Sequence, residues 1–213
     1  MKKSALIIGL GLSLFFFVSC NKKDTSTPVT TTPAVSDYFP MAVGDYWVYQ
    51  QTQYDSSGNI IPQTWKNDSV VVKNDTVFNN KTYHILMDYN CLGMTTYSAE
   101  YYRDSSDCIV NEHGEVIFSI KTPGIIYTDI LSSDTIAYVN YSYNGSSTNI
   151  TVPAGTFTCV DFKGEVYRKV DNFNTAYLVH KYNYANIGTV KKMKLFVASL
   201  IRIDFDLLSY HIQ

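Results

Sequence analysis

The sequence is poor in charged residues and has no basic run. Lysine and arginine total 17 against 19 aspartates and glutamates, which gives a formal net charge of −2. A chain without a cationic stripe cannot supply the phosphate contacts that dominate nucleic-acid affinity, so we expect no nucleic-acid partner. The hydrophobic fraction of 46% nevertheless predicts a folded body with a core.

Motifs of common enzymes are also missing. The chain has no Gly-x-Ser-x-Gly or His-Glu-x-x-His motif and no phosphate-cradling glycine loop. Its histidines lie far apart and never at the spacing of metal ligands; they are His84, His113, His180 and His211. We therefore expect no catalytic residue, no cofactor and no metal site. An enzyme of unrecognised type is an alternative.

The longest hydrophobic run is too short to cross a membrane. It covers residues 5–18, whereas a spanning helix needs about 20 apolar residues. Lys2 and Lys3 precede the run, as in a secretory signal peptide. The run ends at Ser19-Cys20, which resembles a bacterial lipobox. That resemblance implies cleavage after residues 1–19, a lipoprotein signal peptide, and attachment to the membrane through lipid on Cys20.

Large apolar side chains are scarce just after Cys20. Threonine, serine and proline dominate up to residue 37, a composition typical of an extended tether that packs poorly. We predict a lipidated, flexible tether over residues 20–37 and a single β domain over residues 38–213.

No stretch after residue 38 has a helical stripe of apolar residues. Apolar and polar residues alternate instead in about ten runs, separated by turn signals such as Asn79-Asn80, residues 111–115 and Asn144-Gly145. Trp47 and Tyr49 alternate onto one face of the first run and are expected to anchor the core. The pattern predicts an all-β fold, a single antiparallel meander forming a strongly curved sheet or an incomplete barrel. A two-sheet β-sandwich is the alternative.

The last two runs suggest a pairing register. A hairpin centred on Ser199 would place Lys194 opposite Asp204 and Lys192 opposite Asp206. Opposite charges facing each other across a ladder contribute roughly 0.2–1 kcal/mol each. We therefore predict these two ion pairs.

Three cysteines follow Cys20, so one intramolecular bridge is the maximum. Cys91 and Cys108 are the nearest pair, and a bridge between them would persist in an oxidising compartment. A Cys91–Cys159 bridge, or none, are the alternatives. In the first case Cys159 would be a buried thiol.

Tyrosine is abundant, at 18 residues. Tyr138, Tyr141 and Tyr143 follow one another in a predicted strand and form a candidate ligand face for sugars or peptides. Cross-strand packing of these rings is the plainer interpretation.

Four segments together resemble a known class of protein. They are YFPMAVGDYWVY (38–49), NDTVFNNKTYHIL (74–86), VPAGTFTC (152–159) and YNYANIGTVKK (182–192). In this order they resemble the uncharacterised β-rich lipoproteins of Bacteroidota. The resemblance implies a location in the cell envelope, at the outer membrane on its periplasmic face or at the cell surface, and it implies no catalytic residue.

These observations favour a non-enzymatic binding or assembly module with a glycan, lipid or protein partner. A lipid or lipoprotein carrier with an apolar cavity is the alternative.

Overall fold

The computed structural model describes residues 33–62, 67–89, 97–122, 124–131, 134–184 and 186–213, with backbone only for residues 124–131 and 134–135. The predicted signal peptide, Cys20, most of the predicted tether and Cys91 lie outside the described residues. Among those residues, no helix has the length and apolar character that crossing a membrane requires.

The described chain is almost entirely strand. Short 3-10 turns occur at Val35–Tyr38 and Lys169–Asp171. The strands are β1 (Tyr46–Tyr54), β2 (Asp68–Phe78), β3 (Lys81–Tyr89), β4 (Tyr97–Ser105), β5 (Cys108–Asn111), β6 (Val116–Ser119), β7 (Gly124–Leu131), β8 (Asp134–Val152), β9 (Gly155–Arg168), β10 (Ala176–Tyr184), β11 (Gly188–Phe196) and β12 (Ile201–His211).

All twelve strands belong to one antiparallel sheet. Their order is β6-β5-β4-β3-β2-β1-β12-β11-β10-β9-β8-β7, so only the β1–β12 neighbours are not consecutive in the chain. The two edges, β6 and β7, follow each other in sequence, and the sheet is nearly closed into a barrel. The predicted all-β meander is confirmed in its incomplete-barrel form, with twelve strands instead of about ten. The sandwich alternative is wrong.

The inner face of this sheet carries the core. Trp47 and Tyr49 are 5% and 3% exposed, as predicted for core anchors, and they pack with Phe205 and Leu207 of β12. Contacts also cross the interior, because Phe118 of β6 meets a ring of β9 edge-on with centroids 5.6 Å apart. The described interior is therefore largely filled by side chains.

The β11–β12 hairpin corrects the predicted register. Its loop, residues 197–200, has four residues, so Phe196 pairs with Ile201 and Lys194 with Ile203. A hairpin centred on Ser199 requires a loop with an odd number of residues, which this loop does not have. Both predicted pairs are therefore wrong by one residue. A shift of one residue in the pairing register moves every side chain of the strand to the other face of the sheet. Lys192 therefore lies opposite Phe205 on the inner face.

Lys191 takes over the ion pairing on the other face of β11. Its Nζ lies 3.4 Å from a carboxylate oxygen of Asp204 and 2.8 Å from one of Asp206. The aspartates predicted to be paired are thus paired, but with a different lysine.

The turns follow local chemistry with one exception. Asn79 and Asn80 both have positive φ, and the Asn111–Gly114 turn joins β5 to β6, as predicted. Asn144-Gly145 does not make a hairpin, because β8 continues through it with a bulge between Asn144 and Thr148. The hairpin turn lies beyond it at residues 153–154, where Val152 pairs with Gly155.

The N-terminal segment, residues 33–41, packs against the sheet. Val35 is 1% exposed and joins a core cluster with Ile109 and Phe162. The Asn183 amide donates to the Tyr38 carbonyl at 2.8 Å. The packed body therefore includes Val35, which the predicted boundary at residue 38 assigned to the tether.

Candidate functional site

A cavity of about 70 Å³ lies against the inner face of the sheet. Aromatic and aliphatic side chains of the N-terminal segment and of β1, β2, β3, β4 and β6 form most of its wall, and a few polar groups face it. The lining includes Trp47, Tyr49, Leu86, Glu100, Tyr102, Lys181 and Lys192.

Two lysines face this cavity from neighbouring strands. Lys181 of β10 and Lys192 of β11 are direct cross-strand partners and both line it. The Lys181 ammonium donates to the Ile117 carbonyl at 2.6 Å. Burial, with a smaller contribution from the Lys192 charge, lowers the pKa of Lys181 to about 8. The cavity therefore holds two cations that oppose each other.

The Lys192 ammonium is placed over aromatic faces. Its Nζ lies 5.0 Å from the ring centroid of Tyr49 and 5.0 Å from that of Phe205. Cation–π contact of this kind holds an ammonium in position without neutralising it. The Tyr49 hydroxyl is fixed in turn by donating to the Thr189 carbonyl at 2.9 Å.

Two buried carboxyl groups lie beside this arrangement. Asp68 of β2 is 0% exposed and Asp88 of β3 is 6% exposed. Burial, and next the neighbouring Asp88, raise the pKa of Asp68 well above its ordinary value, against the opposing pull of Lys192. Both carboxylate oxygens of Asp68 are buried without a hydrogen-bond partner among the described residues, an environment that favours the protonated, uncharged form of Asp68.

Glu100 is the acidic residue of the cavity lining. The Tyr102 hydroxyl donates to its carboxylate. Glu100 is exposed to solvent while it lines the cavity, so the cavity communicates with solvent on the β4 side. Burial, with the Glu100 charge next, raises the pKa of Tyr102 well above its usual range, so this hydroxyl keeps its proton.

The N-terminal segment covers another side of the cavity. Phe39 and Pro40 are part of the lining, and the Phe39 ring meets Tyr102 edge-on with centroids 5.7 Å apart. Gly188 allows this close approach. It has φ +94°, and a Cβ there would lie 3.2 Å from Pro40 Cδ and 3.4 Å from Trp47 Nε1.

The opposite face of β9–β12 carries a second group of polar residues, which ion pairs hold together. His180 Nδ1 lies 2.8 Å from an Asp161 oxygen, and Arg202 Nε lies 2.8 Å from the Asp204 that Lys191 also contacts. No set of three histidine, cysteine or acidic residues within the described ranges is arranged to hold a metal ion. We assign this group a structural role.

The predicted tyrosine row does not form one surface. Tyr141 and Tyr143 face the interior side of β8, and Tyr141 stacks on Phe162 with centroids 4.8 Å apart. Tyr138 has the opposite orientation and stacks on Tyr167 with centroids 5.0 Å apart. Tyr138 and Tyr141 therefore stack on aromatic rings of β9, which is the cross-strand packing considered above.

The cysteines offer no reactive site in the described chain. Cys108 and Cys159 are free thiols, and the Cys108 thiol lies 3.5 Å from the Ser119 hydroxyl. Burial raises the pKa of Cys159 to about 12. Cys91, the partner predicted for Cys108, lies outside the described residues, so that bridge stays a prediction.

Sequence reasoning did not find the residues that face the cavity. Lys192 was assigned to the wrong face by the register error, and Lys181, Asp68 and Asp88 were not considered. The alternation of side chains along a strand indicated where Lys181 points. Lys181 lies two residues before Asn183 and two after Val179, both of which are buried, so it shares their face of β10. A charged residue in phase with buried neighbours indicates an interior polar group.

Comparison with known proteins gives two similar folds. No family model matches the chain, and no curated protein matches it. A solved structure from Bacteroides fragilis, inferred to be an exported protein and described as having a YmcC-like fold, is 12% identical, with 82% of this chain and 98% of that chain covered and a TM-score of 0.46. A second, from Parabacteroides distasonis and inferred to be a lipoprotein, is 13% identical, with the same coverage and a TM-score of 0.36. The function is argued below from this chain's own residues.

Proposed function

We propose that the chain is a lipid-anchored binding module of the bacterial cell envelope and that its ligand site is the cavity inside the sheet. The observation that carries the proposal is the convergence of Lys181, Lys192, Glu100 and Tyr102 on one cavity with apolar walls. Small-molecule sites combine such walls with a few placed polar groups, and shifted pKa values concentrate at functional sites.

The envelope location is supported by the sequence of residues 1–37. The signal-peptide pattern and the lipobox-like Cys20 favour export and lipidation, and the outer membrane, on its periplasmic face or at the cell surface, is the proposed destination. The predicted tether continues in sequence into the N-terminal segment, and Phe39 and Pro40 of that segment line the cavity. The membrane anchor and the proposed ligand site are therefore adjacent in the chain.

The size of the cavity disfavours the lipid-carrier alternative. A volume of about 70 Å³ accommodates about five water molecules. That space is far too small for the acyl chain of a membrane lipid. Large core side chains, including Phe118 and Phe162, fill the neighbouring interior.

An enzymatic role is the second candidate, and one observation favours it. Lys181 has a pKa lowered to about 8, so a fraction of the amine is unprotonated near neutral pH. Desolvated lysines of this kind form Schiff bases with carbonyl substrates. Trapping with borohydride in the presence of small aldehydes and ketones would attach a mass to Lys181 if this role is correct.

Native mass spectrometry of the full chain tests the binding proposal. The protein would be extracted from its own envelope in mild detergent, beside a Val70→Phe variant that fills the cavity. Val77→Phe is the matched control, because Val77 lies on the same strand and is 64% exposed. A cooperative unfolding transition would establish that Val70→Phe is folded.

We expect a small bound mass on the wild type and on Val77→Phe that is lost in folded Val70→Phe. A bound mass that persists in Val70→Phe would place the ligand elsewhere. A wild-type protein that carries no ligand and takes up none from envelope extract would contradict the proposal.

A further inference from the structure

We infer that the cavity binds a small organic acid, with the carboxylate held between the ammonium groups of Lys181 and Lys192. This inference rests on the proposed function and names the chemical class of its ligand.

The lysines form an unneutralised pair. They are directly opposite each other in the β10–β11 ladder, a position in which like charges destabilise a sheet. Neither lysine makes an ion pair with any residue in the described ranges. The two ammonium groups repel each other, and an anion that lies between them would replace this repulsion with two favourable contacts.

Both ammonium groups also have hydrogen-bonding capacity to spare. A lysine carries three N–H donors. Lys181 uses one on the Ile117 carbonyl at 2.6 Å. Lys192 makes its contacts with the ring faces of Tyr49 and Phe205, and within the described chain it makes no hydrogen bond to an acceptor. The remaining donors are available to an acceptor in the cavity that both side chains line.

The neighbouring acids do not provide that acceptor. Glu100 accepts a hydrogen bond from the Tyr102 hydroxyl and makes no ion pair with either lysine among the described residues, and neither Asp68 nor Asp88 is part of the lining. Among the lining residues the charges are two lysines and one glutamate. The cavity wall therefore has one positive charge in excess.

The walls and the volume determine which anion fits. Trp47, Leu86 and Ile117 make much of the lining apolar, which suits an acid with a short hydrocarbon body better than a fully hydrated inorganic anion. A heavy atom of a ligand takes up about the space of a water molecule, so a cavity of about 70 Å³ has room for roughly five heavy atoms. Acids of about four to six heavy atoms, the size of acetate to butyrate, come close to both limits.

Fluorescence titration of the full chain in detergent tests this inference. Trp47 lines the cavity and is one of two tryptophans in the sequence, so a Trp65→Phe background makes it the sole reporter. Acetate and butyrate are the probes. Butyramide has the same shape without the charge, and inorganic phosphate has the charge without the apolar body.

The lysine variants identify the contacts. Lys181→Met and Lys192→Met keep the apolar stem and remove the charge. Lys194→Met is the matched control, because Lys194 is an exposed residue of the same strand as Lys192. A hydrogen bond to a charged group is worth roughly 1.5–3 kcal/mol. We therefore expect butyrate to bind about ten- to a hundredfold more weakly to each cavity variant, and unchanged to Lys194→Met.

The outcomes separate this inference from the proposed function. Saturable binding of butyrate but not butyramide, lost in both cavity variants, supports it. Equal binding of butyramide, tighter binding of phosphate, or undiminished binding by folded Lys181→Met and Lys192→Met would overturn it. A neutral ligand found in the cavity by mass spectrometry would overturn it while leaving the binding function in place.

Discussion

Replacing Lys181 with methionine should stabilise the protein at neutral pH and change how its stability depends on pH. Burial lowers the pKa of Lys181 from 10.5 to about 8, so the folded state disfavours a charge that the unfolded chain tolerates. Methionine fills a similar volume without the charge. The variant also loses the hydrogen bond to the Ile117 carbonyl.

The magnitude follows from the pKa difference. A pKa change of one is worth about 1.4 kcal/mol, so a drop from 10.5 to about 8 sets an upper limit of about 3 kcal/mol. Lys181 faces a cavity that water reaches, and this screening reduces the figure to about 1–2 kcal/mol. The lost hydrogen bond removes about 1 kcal/mol. At pH 7 we expect a free energy of unfolding equal to the wild type's or up to about 1 kcal/mol higher.

The pH dependence gives the sharper result. Between the folded value of about 8 and the unfolded value of 10.5, the unfolded chain binds more protons, so wild-type stability should rise with pH. The cost of the charge is fully present below that window. Lys192 and Glu100 are the charged groups that act on the ammonium. Tyr49 and Tyr102 also line the cavity, and because their pKa values are raised they titrate above the range from pH 8 to about 9.5.

Urea denaturation at several pH values in that range is the assay. Lys194→Met should keep the wild-type rise in the free energy of unfolding, while Lys181→Met should lose part of it. A Lys181→Met protein that is less stable at every pH, with the wild-type slope intact, would refute the claim that Lys181 is a disfavoured interior cation.

Three further predictions concern other parts of the molecule. Asp68→Asn should remove a decline in stability as pH rises above about 4, because the raised pKa of Asp68 makes the folded state hold a proton that the unfolded chain releases. Denaturation at pH 4 and 7 measures this, and an unchanged decline would contradict the raised pKa of Asp68. Gly188→Ala should lower the free energy of unfolding by roughly 1–3 kcal/mol, because φ is +94° and the new Cβ would lie 3.2 Å from Pro40 Cδ. Chemical denaturation measures this, and an unchanged free energy of unfolding would contradict it. Cys20→Ser should leave the chain without lipid, and metabolic labelling that still shows acylation would disprove the anchor assignment.

The fold class could be predicted because β-sheets repeat every two residues and turns have a local chemistry. Alternation at Trp47 and Tyr49 correctly placed both in the core, and Asn79-Asn80 correctly predicted a turn. Asn144-Gly145 was misassigned, because neither residue has a positive φ and β8 continues through them with a bulge between Asn144 and Thr148. Closure into a near-barrel depends on the β1–β12 pairing, which joins the two ends of the chain and has no local signal.

The candidate site was harder to predict than the fold. Its residues come from the N-terminal segment and from β1, β2, β3, β4, β6, β10 and β11, and only the curvature of the sheet brings these strands together. An error of one residue in a single loop was enough to place Lys192 in an ion pair with Asp206 instead of over the Tyr49 ring. Register depends on loop length, and composition does not determine whether the loop at residues 197–200 has three residues or four.

A crystal structure of the full chain grown with butyrate would test the central claim most directly. We predict difference density in the cavity, with both carboxylate oxygens within hydrogen-bonding distance of Lys181 and Lys192 Nζ and the hydrocarbon end against Trp47 and Leu86. Density for water alone between the two lysines at saturating butyrate would contradict the account, as would butyrate bound outside the cavity.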